Sequence, residues 1–72
     1  MELKEVNMFI LVDEPKGGTL GEAFEALDDA FGTGEFSEGQ GVSAIALGMD
    51  VDDSRASELL KNLVARGCVE EV

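Results

Sequence analysis

Between Asp52 and Val72 the spacing of the apolar residues changes, and that change constrains the fold more than any other feature of the chain. Ala56, Leu59, Leu60, Leu63 and Val64 recur at helical intervals and define one buried face. Gly67 follows, a residue type that closes helices in the left-handed conformation. The next stretch, "CVEEV" (residues 68–72), reads as a closing strand, with Val69 and Val72 apolar and Glu70 and Glu71 polar. A helix that stops at a glycine and re-emerges as a strand buries its apolar face against neighbouring elements, which sets the class as α+β. Asp52 or Asp53 supplies the N-cap of this helix, with negative charge at its positive end.

Two further helices precede it. Ser37 and Gln40 form an S-x-x-Q capping box ahead of Val42, Ile45, Ala46 and Met49, which share one helical face. Gly39 and Gly41 weaken the first turn of that helix by roughly 1 kcal/mol each relative to Ala, which points to close packing against another element or to a first turn that moves, with packing the favoured reading. Earlier, Thr19 and Glu22 make a T-x-x-E box opening a helix whose stripe is Leu20, Ala23, Phe24, Leu27 and Phe31. Glu22, Glu25, Asp28 and Asp29 occupy its other faces, and Gly32 ends it. "GTGEF" turns the chain into a short extended piece at Glu35–Phe36. Residues 5–13, "EVNMFILVD", are rich in β-formers with apolar residues on both pleat faces, a strand covered on both sides for part of its length. A short helix competes there, since Leu3, Val6 and Ile10 also share a helical face. "EPKGG" (residues 14–18) is a break.

The 72 residues make one domain, 1–72, burying only about 60% of the surface exposed on unfolding. A core this small is often completed by a partner, so a homodimer is expected as an option. The 44% hydrophobic content argues against disorder despite a formal charge of −11. The longest apolar run, "MFILV" (residues 8–12), is far short of the roughly 20 residues of a membrane helix. No basic segment precedes it in the manner of a secretory leader. One cysteine, Cys68, excludes an internal disulfide and any CxxC site, and reads as a small buried apolar side chain. These features point to a cytoplasmic, reduced, soluble protein without a membrane partner.

With the elements in this order, residues 19–72 resemble a winged-helix domain of the helix-turn-helix class. The likeness is carried by "FSEGQGVSAIALGMDVDDSRASELLKNLVARGCVEEV", and above all by "LLKNLVARGCVEEV", where L-x-x-L-x-x-x-G-x-V marks the recognition helix entering the first wing strand. The resemblance implies a small winged-helix-like domain, β-α-(β)-α-α-β, with three helices and a short two- or three-stranded sheet formed by the N-terminal and C-terminal strands. It departs from the family after Val72, where the wing hairpin's second strand would follow; residues 6–12 are expected to pair with 68–72 in its place.

The resemblance would put function on the last helix, and the charges bear on this. Residues 52–66 hold three acids and three bases, whereas the rest of the chain holds thirteen acids and two bases. At 100° per residue the outward face carries Ser54, Arg55, Ser57, Glu58, Lys61, Asn62, Ala65 and Arg66. Of these, Ser54, Arg55, Ser57, Lys61, Asn62 and Arg66 are types that contact phosphates and base edges. The same residues also suit a solvated face with local pairs such as Glu58 with Lys61 or Asn62. Against nucleic acid, Asp50, Asp52 and Asp53 crowd the helix start, and three bases are a thin set of phosphate contacts.

Other chemistry has little support. Asp50, Asp52 and Ser54 match the first ligands of an EF-hand, but Arg55 stands where Gly is needed and Lys61 where a bidentate Glu is needed. "KGGTLGE" lacks the G-K-[ST] ending of a phosphate loop. The chain has no His and no Tyr, and no nucleophile beside a base, so neither an enzyme nor a cofactor or metal site is expected. The expectation is a non-catalytic regulatory or adaptor module whose acidic surface meets a basic protein partner. The alternative is a DNA-binding transcription regulator of a high-salt cytoplasm, where an acidic surface serves solubility.

Overall fold

The computed structural model describes residues 7–72. Six elements follow in the order β1 (Met8–Leu11), α1 (Gly18–Phe31), β2 (Phe36–Ser37), α2 (Glu38–Met49), α3 (Asp53–Ala65) and β3 (Val69–Glu71). The class is α+β, with three helices packed on a three-stranded antiparallel sheet of order β2-β1-β3.

The β-formers of residues 8–11 take the strand and not the competing helix. Phe9, Ile10 and Leu11 pair with Glu71, Glu70 and Val69, and the ladder continues at both ends. The Val12 amide donates to the Cys68 carbonyl at 2.9 Å, and the Val72 amide donates to the Met8 carbonyl at 2.7 Å. The expected pairing of residues 6–12 with 68–72 is therefore present from Met8 to Val12. On its other edge β1 pairs Met8 with Ser37 and Phe9 with Phe36, which makes it the central strand. Val6 and Leu3 lie outside the described residues. Cover on both faces is not found among the described residues: Phe9 and Leu11 pack on the core, while every residue of β1 is only half-buried.

β2 begins at Phe36, one residue later than the extended piece expected at Glu35–Phe36. It is short because Ser37 is at once its last residue and the N-cap of α2. The capping box is complete: the Gln40 amide donates to Ser37 Oγ at 3.2 Å, and the Ser37 amide donates to Gln40 Oε1 at 3.0 Å. Phe36 is fully buried, its ring stacked on Phe31 at 4.9 Å between centroids and tilted against Phe9 at 6.2 Å. One aromatic side chain on a two-residue strand thus ties the sheet to α1. Gly41 leaves room for that ring, since a Cβ there would lie 3.0 Å from Phe36 Cδ2 and Cε2 and 3.3 Å from Leu60 Cδ2.

The T-x-x-E box at Thr19 and Glu22 does not form. α1 starts earlier, with Gly17 as N-cap and no side-chain cap. Gly17 and Gly18 hold φ of 80° and 75°, a turn open to glycine that begins the helix before Thr19 can cap it. The stripe itself is as expected, with Ala23, Phe24 and Leu27 buried and Leu20 and Phe31 packed beside them. Packing accounts for Gly41 but not for Gly39, whose missing Cβ would meet nothing within 4 Å. The tightest approach is at Gly48, where an added Cβ would stand 2.6 Å from the Ala26 Cβ, so α1 and α2 cross nearly backbone to backbone.

Asp52 caps α3, its Oδ1 accepting from the Arg55 amide at 2.8 Å. Ala56, Leu59, Leu60 and Leu63 are buried, whereas Val64, expected on the same face, is 38% exposed. The C-terminal cap explains the difference. Gly67, at φ 80°, donates to the Val64 carbonyl, and the Cys68 amide donates to the Leu63 carbonyl at 2.9 Å, a Schellman arrangement. That turn brings the buried Cys68 and Val69 back to the Leu63 side and leaves Val64, about 100° further round, at the rim.

Candidate functional site

α3 presents the residues that the sequence singled out, but not as one patch. Ser54, Arg55, Lys61, Asn62 and Arg66 are exposed. Ser57 is half-buried instead of outward, because it turns from Ala56 toward α2. There Ser54 and Ser57 line an open cleft of about 490 Å³ between the starts of α2 and α3, with Glu38, Val42, Ser43 and Asp53. This hydroxyl-rich hollow carries two carboxylates, so it offers hydrogen bonds to a ligand and repels an anion.

Arg55 is already engaged. Its Nη1 donates to Glu58 Oε1 at 3.0 Å, the one ion pair among the described residues. Glu58 was expected to reach forward to Lys61 or Asn62. Helical side chains lean toward the N-terminus, which carries its carboxylate back to the preceding turn and to Arg55. Both partners are at least half-exposed, so the pair contributes little to stability. Lys61, Asn62 and Arg66 remain toward the C-terminal end of α3. Arg55 and Arg66 are separated by about 16 Å along the helix axis.

A second region was not foreseen. Along α1, Glu22 and Glu25 border two adjoining hollows. One, of about 450 Å³, is completed by Ala26, Asp29, Gly48 and Met49; the other, of about 200 Å³, by Glu14, Gly17, Gly18 and Gly21. The trough exists because the Gly48–Ala26 crossing carries no long side chains to fill it. In the sequence the only sign was a glycine late in α2, and its partner on α1 could not be read from spacing.

All Asp, Glu, Lys and Arg side chains of residues 7–72 lie at the surface, and none is a buried polar group. Among the described residues no three carboxylates or thiolates converge in a way that could hold a metal ion. Cys68 is a buried free thiol. No helix among the described residues is long and apolar enough to cross a membrane. Comparisons with protein-family models, with curated proteins and with solved structures gave no match.

Proposed function

We propose that the chain is a non-catalytic regulatory or adaptor module of winged-helix-like build that docks a basic protein partner. The observation that carries this reading is the charge of α1. Glu22, Glu25, Asp28 and Asp29 are exposed there, and among the described residues none has a cation within ion-pair distance. Such a surface disfavours nucleic acid and anionic lipid and speeds encounter with a positively charged partner. The winged-helix-like part of the reading is supported by the order α1-β2-α2-α3-β3, with β1 beside β3 where the wing's second strand would stand.

A second reading, DNA binding through α3, is favoured by the exposed Lys61, Asn62 and Arg66 on a helix of balanced charge. It is opposed by the pairing of Arg55 with Glu58 and by Asp53 and Glu38 at the entrance to that helix. Parallel anisotropy titrations separate the two. The probes are a labelled mixed-sequence duplex and a labelled lysine-rich peptide, at about 50 and about 300 mM salt, where the screening length falls from roughly 14 to 6 Å. Peptide binding that weakens with salt, without duplex binding, is the expected result. Duplex binding that is lost in Arg55→Glu/Lys61→Glu would replace this reading with the second. Absence of both would leave the acidic surface as an adaptation to salt.

A further inference from the structure

In an open antiparallel sheet one face packs on the core and the other meets water, so inward apolar residues alternate with outward polar ones. β1 breaks that rule. Phe9 and Leu11 face the core, yet the alternate positions are Met8 and Ile10, followed by Val12. Strand pairing places Val72 beside Met8, Glu70 opposite Ile10, and Ser37 against Met8 on its other side. The outer face is therefore a row of four apolar side chains around one carboxylate. Val12 is 50% and Val72 68% exposed. Among the described residues no helix packs there: the three helices meet the sheet through Phe36, Val69, Phe9 and Leu11 on the opposite side.

We infer that this outer face is a docking surface for an amphipathic helix of basic character supplied by the protein partner. The inference rests on the reading of the chain as a protein-binding module and names where the partner touches it. Size and charge select the occupant. From Met8 to Val12 the row runs about 13 Å, and three strands put about 10 Å between the outer strand axes. Allowing for side chains, the face offers roughly 200 Å², against about 800 Å² on each side of a stable protein dimer. That footprint suits two to three turns of a single helix, whose diameter with side chains is about 10–12 Å. A second copy would bring Glu70 and a further −11 charge against the first, whereas Lys or Arg flanking an apolar stripe would meet Glu70 on a strongly acidic chain.

The probe is a labelled peptide of about four helical turns with Leu on one stripe and Lys on its flanks. A peptide of the same composition in scrambled order is the control. Anisotropy gives the affinities, and methyl chemical shifts of the wild-type protein locate the contact. The expected result is tighter binding of the amphipathic peptide, with shifts at Met8, Ile10, Val12 and Val72. Its Kd rises at least about ten-fold in Ile10→Thr/Val72→Thr, which keeps β-branched residues on the strand and leaves the core untouched. Equal binding of both peptides, with shifts confined to α1, would overturn this inference and leave the protein-binding reading standing. Binding of neither would overturn both. Sedimentation of the protein alone as a dimer that Ile10→Thr splits would give the face to a second copy instead.

Discussion

Three glycines of α2 sit in three different surroundings, so alanine should raise stability at one, lower it at another and fall between them at the third. At Gly48 the new Cβ would lie 2.6 Å from the Ala26 Cβ, whereas two carbons rest at about 3.5–4.0 Å. A deficit of about 1 Å cannot be relieved by rotation, because both methyl groups are fixed to helix backbone. The helices must part along their shared face, and overpacking of this kind costs about 1–3 kcal/mol. Replacing glycine within a helix returns at most about 1 kcal/mol. Gly48→Ala is therefore expected to lose roughly 1–2 kcal/mol, with Tm falling by about 4–8 °C for each kcal/mol in a domain of this size. Gly39→Ala meets nothing within 4 Å and should gain about 0.5–1 kcal/mol. Gly41→Ala should fall between them, since it presses at 3.0 Å on a buried ring that has some freedom to shift. The assay is thermal and urea unfolding followed by far-ultraviolet circular dichroism. Ala26→Gly combined with Gly48→Ala removes the opposing methyl, so the pair should couple favourably by at least about 0.5 kcal/mol. A Gly48→Ala protein as stable as Gly39→Ala would refute the reasoning, because the helices would then not be held at this separation.

Two other changes test the cap and the core. Ser37→Ala removes one bond of the capping box and should lower stability by about 1 kcal/mol, read as a lower urea midpoint at unchanged slope. Leu63→Ala should cost about 2–5 kcal/mol at a fully buried position, while Val64→Ala, one residue on but 38% exposed, should cost under about 1 kcal/mol; equal losses in thermal melts would mean that the α3 cap is not as described.

What could be read from the sequence was local. The α3 stripe apart from Val64, the Gly67 stop, the Ser37–Gln40 box and the cap expected at Asp52 or Asp53 depend on residues close in the chain, and each is present, the cap at Asp52. The pairing of β1 with β3 was also legible, because residues 5–13 and 68–72 were the main strand-forming stretches, and the pairing expected for 6–12 with 68–72 is seen from Met8 to Val12. Features set by the third dimension were not. Thr19 and Glu22 had the right spacing for a box, but two left-handed glycines started the helix before them. Val64 fitted the stripe and lost its cover to the turn that follows. Phe36 gave no sign that one ring would join sheet to helix. On α3 the outward face was right for Ser54, Arg55, Lys61, Asn62 and Arg66, because 100° per residue decides exposure on an isolated helix. It misplaced Ser57 and the partner of Glu58, since the proximity of α2 and the lean of side chains lie outside that rule.

The acidic face of α1 raises a different question, namely whether its charge serves the fold. Glu25 faces Glu22 one turn back and Asp28 and Asp29 one turn ahead, so it belongs to three like-charge pairs, each costing a few tenths of a kcal/mol. A lysine at that position would turn three repulsions into attractions. Glu25→Lys is expected to raise Tm by several degrees in low salt. The gain should fade near 1 M, where the screening length falls to about 3 Å. The fold alone therefore gives no reason for an acid there. If the acid instead draws a basic partner to the surface, the same substitution should slow association with the lysine-rich peptide and leave dissociation nearly unchanged, since charges away from the contact act on encounter. Stopped-flow mixing measures both rates. A more stable protein that associates more slowly is the signature of a charge kept for its partner. A more stable protein with unchanged association would assign the acids of α1 to solubility and sink the steering argument.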